Sequence, residues 1–177
     1  MYNILCISTG IIVIAVQTCK FQKQRTGNMN NSVIMPFEVE NEYWVKVLPL
    51  VFDVRSQEEA EKHLGNLPEE RKDIDVLVNN AGLAVGLNPV QEGVVDDWER
   101  MIDTNVKGLL YVTKVVSKYM VERCKGHIVN LCSIAGKEAY ANGNVYCATK
   151  HAVDALTKGM RIDLLKYGIR VSQICPG

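Results

Sequence analysis

In the stretch GNVYCATKHAVDAL (143–156), Tyr146 and Lys150 stand four residues apart. That is neighbour spacing on a helix, so a phenol and an ammonium share one face there. A free tyrosine has a pKa of about 10, and its phenolate is scarce at neutral pH. A nearby ammonium favours the phenolate, and about 1.4 kcal/mol of such interaction makes the phenolate tenfold more abundant. A tyrosine tuned in this way takes a hydroxyl proton in one direction of a reaction and returns it in the other. Two polar residues precede the pair: Asn105 in DTNVKG (103–108) and Ser133 in LCSIAG (131–136). A serine hydroxyl at a strand end can hydrogen-bond a substrate oxygen and stabilise charge developing on it. Taken singly, each has a plainer role: an amphipathic helix face for the Tyr/Lys pair, a turn for the serine, a surface amide for the asparagine.

Something must hold these groups together. Four nearly continuous apolar runs, VLPLVFDV (47–54), DVLVNN (75–80), HIVNLC (127–132) and RVSQIC (170–175), read as parallel strands covered on both faces. Helical patterns near 56–64, 96–122 and 145–166 lie between them. In the last, Val145, Ala148, Ala152, Leu156, Met160 and Leu164 form one buried stripe. Asp96, with Glu99 three residues on, has the pattern of a capping box at the start of the second helix. This rhythm predicts right-handed βαβ units in an α/β, Rossmann-like doubly wound parallel sheet. Ligands bind beyond the carboxyl ends of such strands, which places NNAG (79–82), Ser133 and CPG (175–177) on one rim.

Residues 1–46 differ from residues 47–177 and read as an atypical N-terminal segment before a partial Rossmann domain. YNILCIS (2–8) suits a strand and STG (8–10) a turn, but the rest shows no helix-then-strand pattern. A phosphate-cradling turn needs glycines where backbone approaches the pyrophosphate and where helix meets sheet. After Gly10 the next glycine is Gly27, so the turn in its usual form is not encoded here. Residues 1–19 carry no charge and precede Lys20, Lys23 and Arg25, the pattern of a membrane anchor with a basic flank. Against an anchor, Asn3, Ser8, Thr9, Gln17 and Thr18 interrupt a stretch shorter than the roughly 20 apolar residues a span needs.

Twenty basic and twenty acidic residues cancel, which gives no electrostatic basis for nucleic-acid binding. The hydrophobic fraction of 47% with 23% charged residues is that of a soluble globular protein. Six scattered cysteines without a C-x-x-C pair, and three histidines unrelated to them in spacing, argue against a disulfide framework and against a metal site. A reducing, cytoplasmic setting fits them.

In order and spacing, NNAG, Asn105, Ser133, Tyr146-x-x-x-Lys150 and Pro176-Gly177 together resemble the short-chain dehydrogenase/reductase family, over roughly three quarters of the chain. The text IDVLVNNAGLAVGLNP and DDWERMIDTNVKGLLYVTK looks most like its branch of NADP-dependent 3-hydroxy acid (serine-type) dehydrogenases. The resemblance implies hydride transfer between NADP, with NAD as the alternative, and a small hydroxy acid, alcohol or carbonyl compound. It implies Tyr146 as acid/base, Lys150 as its tuning cation and ribose ligand, Ser133 on the substrate oxygen, and Asn105 at a water leading from Lys150 to solvent. By the same resemblance Asp53 meets the adenine, and Asn79, Asn80, Ala81 and Gly82 line the adenosine ribose. Ile174, Pro176 and Gly177 flank the nicotinamide, and Gly10 is the one candidate for the pyrophosphate. A homo-oligomer through helices 96–122 and 145–166 is implied as well. The family continues past the position of Gly177, so the sheet is expected to be incomplete at both ends. That expectation, with the missing glycine turn, supports an alternative: a truncated, non-catalytic relative serving as a binding or interaction protein.

Overall fold

The computed structural model describes residues 2–8 and 11–17 by their backbone alone, and residues 47–177 with their side chains. Strands β1 (Tyr2–Ser8), β2 (Ile11–Gln17), β3 (Leu50–Phe52), β4 (Val76–Asn79), β5 (Gly126–Leu131) and β6 (Ile169–Ile174) form one sheet. Their order is β3-β1-β2-β4-β5-β6.

From β2 to β6 the strands are parallel, with Ile14 opposite Asn79, Asn79 opposite Asn130, and Leu131 opposite Ile174. The other half departs from the expected βαβ pattern, because β1 runs antiparallel to both β2 and β3. Ser8 lies opposite Ile11, and so short a connection makes only a hairpin. A parallel crossover takes a dozen or more residues. Because Ile11 pairs with Val76 at the start of β4, Ser8 and Ile11 lie at the rim opposite Ser133. Gly10 falls within that connection and, like residues 18–46, lies outside the described residues. The C-terminal end of β2, at Gln17, is on the same side as the end of β4.

Helix α1 (Gln57–Gly65) is capped by Ser56, whose Oγ accepts from the Glu59 amide at 3.1 Å. The helix expected over 96–122 forms in three pieces: α2 (Val95–Ile102), a π-helical turn (Asp103–Gly108) and α3 (Leu109–Glu122). The expected capping box is absent. Val94 is the N-cap, with no side-chain hydrogen bond, while Asp96 and Asp97 lie in the first turn. Carboxylates there still interact favourably with the positive end of the helix. Gly108 lets the π turn approach the strand layer, since a Cβ at that position would lie 3.0 Å from Val54 Cγ2. Helix α4 (Asn144–Leu164) follows β5. None of the described helices is long and apolar enough to cross a membrane.

Leu77, Ile128 and Val171 of the sheet pack against Val112, Val116 and Met120 of α3 in the main core. A smaller cluster of Leu109, Cys132 and Val153 lies under α4. Through these layers runs a buried polar ladder. Asn79 Nδ2 donates to Thr113 Oγ1 and Asn130 Oδ1, both at 2.9 Å, and Asn130 Nδ2 donates to Thr157 Oγ1 at 2.9 Å. Each amide is too costly to bury unpaired, so the ladder fixes β4 and β5 against both helices.

Candidate active site

The β5–β6 pairing continues past the strand ends. The Cys132 amide donates to the Ile174 carbonyl at 2.8 Å, and the Ile134 amide to the Pro176 carbonyl at 3.0 Å. Ser133 is therefore held beside Pro176 and Gly177. Its backbone is extended, and its Oγ accepts from the Ala135 amide at 3.1 Å as the cap of a short turn, Ile134–Gly136. That leaves the O–H to donate outward. At the start of α4, Asn144 Oδ1 accepts from the Val145 amide at 2.7 Å, and its Nδ2 donates to the Asn88 carbonyl at 3.0 Å. The loop after β4 is thereby tied to the helix that carries Tyr146 and Lys150.

These elements enclose a cavity of about 330 Å³, whose walls include Asn80, Gly82, Ser133, Tyr146, Lys150 and Pro176. Lys150 is only 5% exposed. Its Nζ donates to the Leu131 carbonyl at 2.9 Å and lies 5.8 Å from the centroid of the Tyr146 ring. Burial lowers the pKa of Lys150 below the ordinary lysine value.

Asn105 sits in the π turn, a feature frequent at functional sites. Its Oδ1 accepts from the Leu83 amide at 2.7 Å, and its Nδ2 donates to the Leu83 carbonyl at 2.8 Å and to Thr149 Oγ1 at 3.0 Å. Thr149 Oγ1 in turn donates to the Tyr146 carbonyl at 2.7 Å. One buried amide thus links the NNAG loop to the turn of α4 between the tyrosine and the lysine. Gly82 lies beside both residues: a Cβ there would be 3.6 Å from Lys150 Nζ and 3.9 Å from Asn105 Oδ1. Asn105→Ala is expected to destabilise the fold by about 2–4 kcal/mol, because Leu83 loses a partner for both backbone groups. Urea unfolding measures this, and a loss below about 1 kcal/mol would mean that water replaces the amide.

The family described as short chain dehydrogenase matches residues 24–177. This chain belongs to that family. The NADP-dependent 3-hydroxy acid dehydrogenase of Salmonella typhi is 49% identical over 139 residues, covering 78% of this chain and 56% of that protein. The enzyme of that name from Schizosaccharomyces pombe is 42% identical over 140 residues, covering 79% of this chain and 54% of that protein. The crystal structure of serine dehydrogenase from Escherichia coli superposes with a TM-score of 0.69 at 51% identity, over 71% of this chain and 58% of that one. The closed form of serine dehydrogenase complexed with NADP+ gives the same score and identity, over 51% of that chain. The chain spans about half the length of the curated relatives it matches.

Within this short-chain dehydrogenase fold, the residues singled out by sequence fall into two groups. Ser133, Tyr146, Lys150, Asn80, Gly82, Pro176 and Gly177 line one cavity, and Asn105 stands behind it. Asn79 and Ala81 do not reach it by their side chains: Asn79 belongs to the buried ladder and Ala81 packs on the main core. Asp53 lies at the same rim but three strands from β4, about 14 Å away at the usual strand spacing. Arg55 grips its carboxylate through Nε at 3.0 Å and Nη2 at 2.5 Å. Burial alone would raise the pKa of Asp53, but the bonds and charge of Arg55 outweigh it and hold the carboxyl below its ordinary value. Sequence reasoning missed Thr149 and Asn144, although a threonine inside the Tyr-to-Lys turn and an asparagine at the helix start were both signals.

The residues present fit the nicotinamide-ribose end of a dinucleotide. A lysine ammonium has three donors, and only one of those on Lys150 is taken up by Leu131, beside a glycine that keeps the approach open.

Proposed function

We propose that this chain carries the proton-transfer centre of an oxidoreductase that uses NADP, or alternatively NAD, and a small hydroxy acid, alcohol or carbonyl substrate. The observation that carries this reading is a buried lysine beside a tyrosine ring in a cavity that also presents a serine hydroxyl. The names of the relatives from Salmonella typhi and Schizosaccharomyces pombe support NADP and a hydroxy acid. When bound, the nicotinamide supplies or accepts the hydride.

Tyr146 Oη takes the proton of the substrate hydroxyl during oxidation and returns it during reduction. Ser133 donates its O–H to the reacting oxygen. The Lys150 ammonium stabilises negative charge on Tyr146 Oη as the proton leaves, and its remaining N–H groups hold the ribose. Asn105 acts through Leu83 and Thr149, holding the loop with Gly82 against α4, and marks the water path from Lys150. Asn80, Gly82, Pro176 and Gly177 form the cofactor side, with Asn79 and Ala81 contributing backbone only, and Asp53 with Arg55 marks the adenine end. Incubation with NADPH or NADP and a panel of carbonyl compounds and hydroxy acids tests this. Absence of turnover on every member would overturn it.

A second reading, a non-catalytic relative that acts as a binding module, is favoured by the β1–β2 hairpin and by the lack of glycine between Gly10 and Gly27. Thermal unfolding with added NADPH separates the two. A cofactor-binding chain gains about 2.7 kcal/mol at one hundred times Kd. An unmoved Tm would favour the binding module.

A homo-oligomer through the helices of 96–122 and 145–166 belongs to the same proposal. Leu110, Met160 and Leu164 line a groove between these helices, and Ile162 is 76% exposed. Sedimentation of Ile162→Glu is expected to show a smaller species than the parent chain. The balance of charges and the free cysteines suit a cytoplasmic protein.

A further inference from the structure

At the cavity, whose lining includes Cys132, two thiols face each other across the β5–β6 seam. Leu131 is paired with Ile174 at the last residues of the two parallel strands. The ladder then continues through the bonds from the Cys132 amide to the Ile174 carbonyl and from the Ile134 amide to the Pro176 carbonyl. In a parallel ladder that alternation puts Cys132 directly opposite Cys175. Residues opposite each other on neighbouring strands have Cα atoms about 4.8 Å apart and side chains on one face. This lies within the Cα range of roughly 4.4–6.8 Å that a disulfide spans. Both side chains pack in the same cluster with Val153 of α4.

We propose that Cys132 and Cys175 form a reversible disulfide site, oxidised by small-molecule disulfides of the glutathione class. The two thiols have different exposures, and this sets the order of events. Cys175 is partly exposed, whereas Cys132 is 4% exposed. Burial raises the Cys132 thiol above its ordinary pKa, with the Cys175 thiol beside it adding to the effect. The Cys175 thiolate attacks one sulfur of oxidised glutathione, forming a mixed disulfide and releasing one glutathione thiolate. Cys132 then gives up its proton and attacks the Cys175 sulfur, and the second glutathione leaves as a thiolate that takes up the proton. The two cysteines lose two electrons and two protons, and one glutathione disulfide becomes two glutathione thiols.

The site has a structural readout at the cavity. Cys132 Sγ now donates to the Lys150 carbonyl at 3.3 Å, and this bond is lost when the sulfur joins Cys175. The linkage would cross-tie the residues immediately before Ser133 and before Pro176, and so brace two walls of the cavity. It depends on the strand register and not on the proposed hydride transfer.

The test is to incubate the full chain, folded, with oxidised glutathione, block remaining thiols, and map disulfide-linked peptides by mass spectrometry. The expected result is a peptide pair joining Cys132 and Cys175, reversed by dithiothreitol and absent from Cys175→Ala. A lasting glutathione adduct on Cys175 without the cross-link would overturn the proposal. So would preferential pairing of either residue with Cys124 or Cys147. Should Cys175→Ala fail to fold, Cys175→Ser replaces it, and the mapping of the parent chain decides without either variant.

Discussion

Tyr146→Phe is expected to lower kcat by about 10²–10⁴-fold, the range that a positioned acid/base contributes. The substitution removes one oxygen and keeps the ring beside Lys150 at 5.8 Å, so packing at the start of α4 is expected to survive. Binding of NADPH should persist, because Lys150 and the glycine beside it are untouched. Steady-state assays with NADPH and a carbonyl substrate, paired with calorimetry of NADPH binding, separate loss of chemistry from loss of affinity. Turnover unchanged from the parent would remove Tyr146 from the mechanism. A loss of cofactor binding equal to the loss of rate would reassign it to a packing role.

Lys150→Met has two large consequences of opposite kind. It removes a charged donor from the site, and loss of such a group typically costs about 10²–10³-fold in kcat. It also removes an ammonium that burial disfavours. Because the folded-state pKa of Lys150 lies below its unfolded value of about 10.4, the unfolded chain binds more protons between those two values. The parent chain therefore gains stability as pH rises through that window, relative to the variant. The charge penalty is fully present below the lowered folded value and is gone above about pH 10.4. Urea unfolding of both proteins across that pH range measures the difference. A difference independent of pH would show that Lys150 is not buried as a cation.

How far the sequence reaches depends on what each feature needs. The parallel strands expected at 75–80, 127–132 and 170–175 are found at Val76–Asn79, Gly126–Leu131 and Ile169–Ile174. Their apolar, β-branched runs carry that information locally. The hairpin was not legible. Ile11–Gln17 is an apolar run that suits a strand in either direction, and its pairing with β1 is decided by a connection too short for a helix. The break of the 96–122 helix at DTNVKG was equally hidden. Propensity predicts a helix through it, whereas the bonds from Asn105 to Leu83 and the approach of Gly108 to Val54 accompany a π turn. The capping box does not form because the helix already starts at Val95, which puts Asp96 inside its first turn.

By itself the sequence determined the chemistry available on α4, since Tyr146 and Lys150 meet through helical spacing alone. It also determined that a strand ends just before Ser133. Tertiary structure decided which partners those groups have. Asn105 reaches Leu83 and Thr149 across 22 and 44 residues of chain. Cys132 meets Cys175 only because β5 and β6 pair in one register. Asn79 turns inward because Thr113 and Asn130 offer it hydrogen bonds in the core. The reason is physical: short-range spacing fixes which side chains share a face, while strand order and register follow from the burial of the whole sheet.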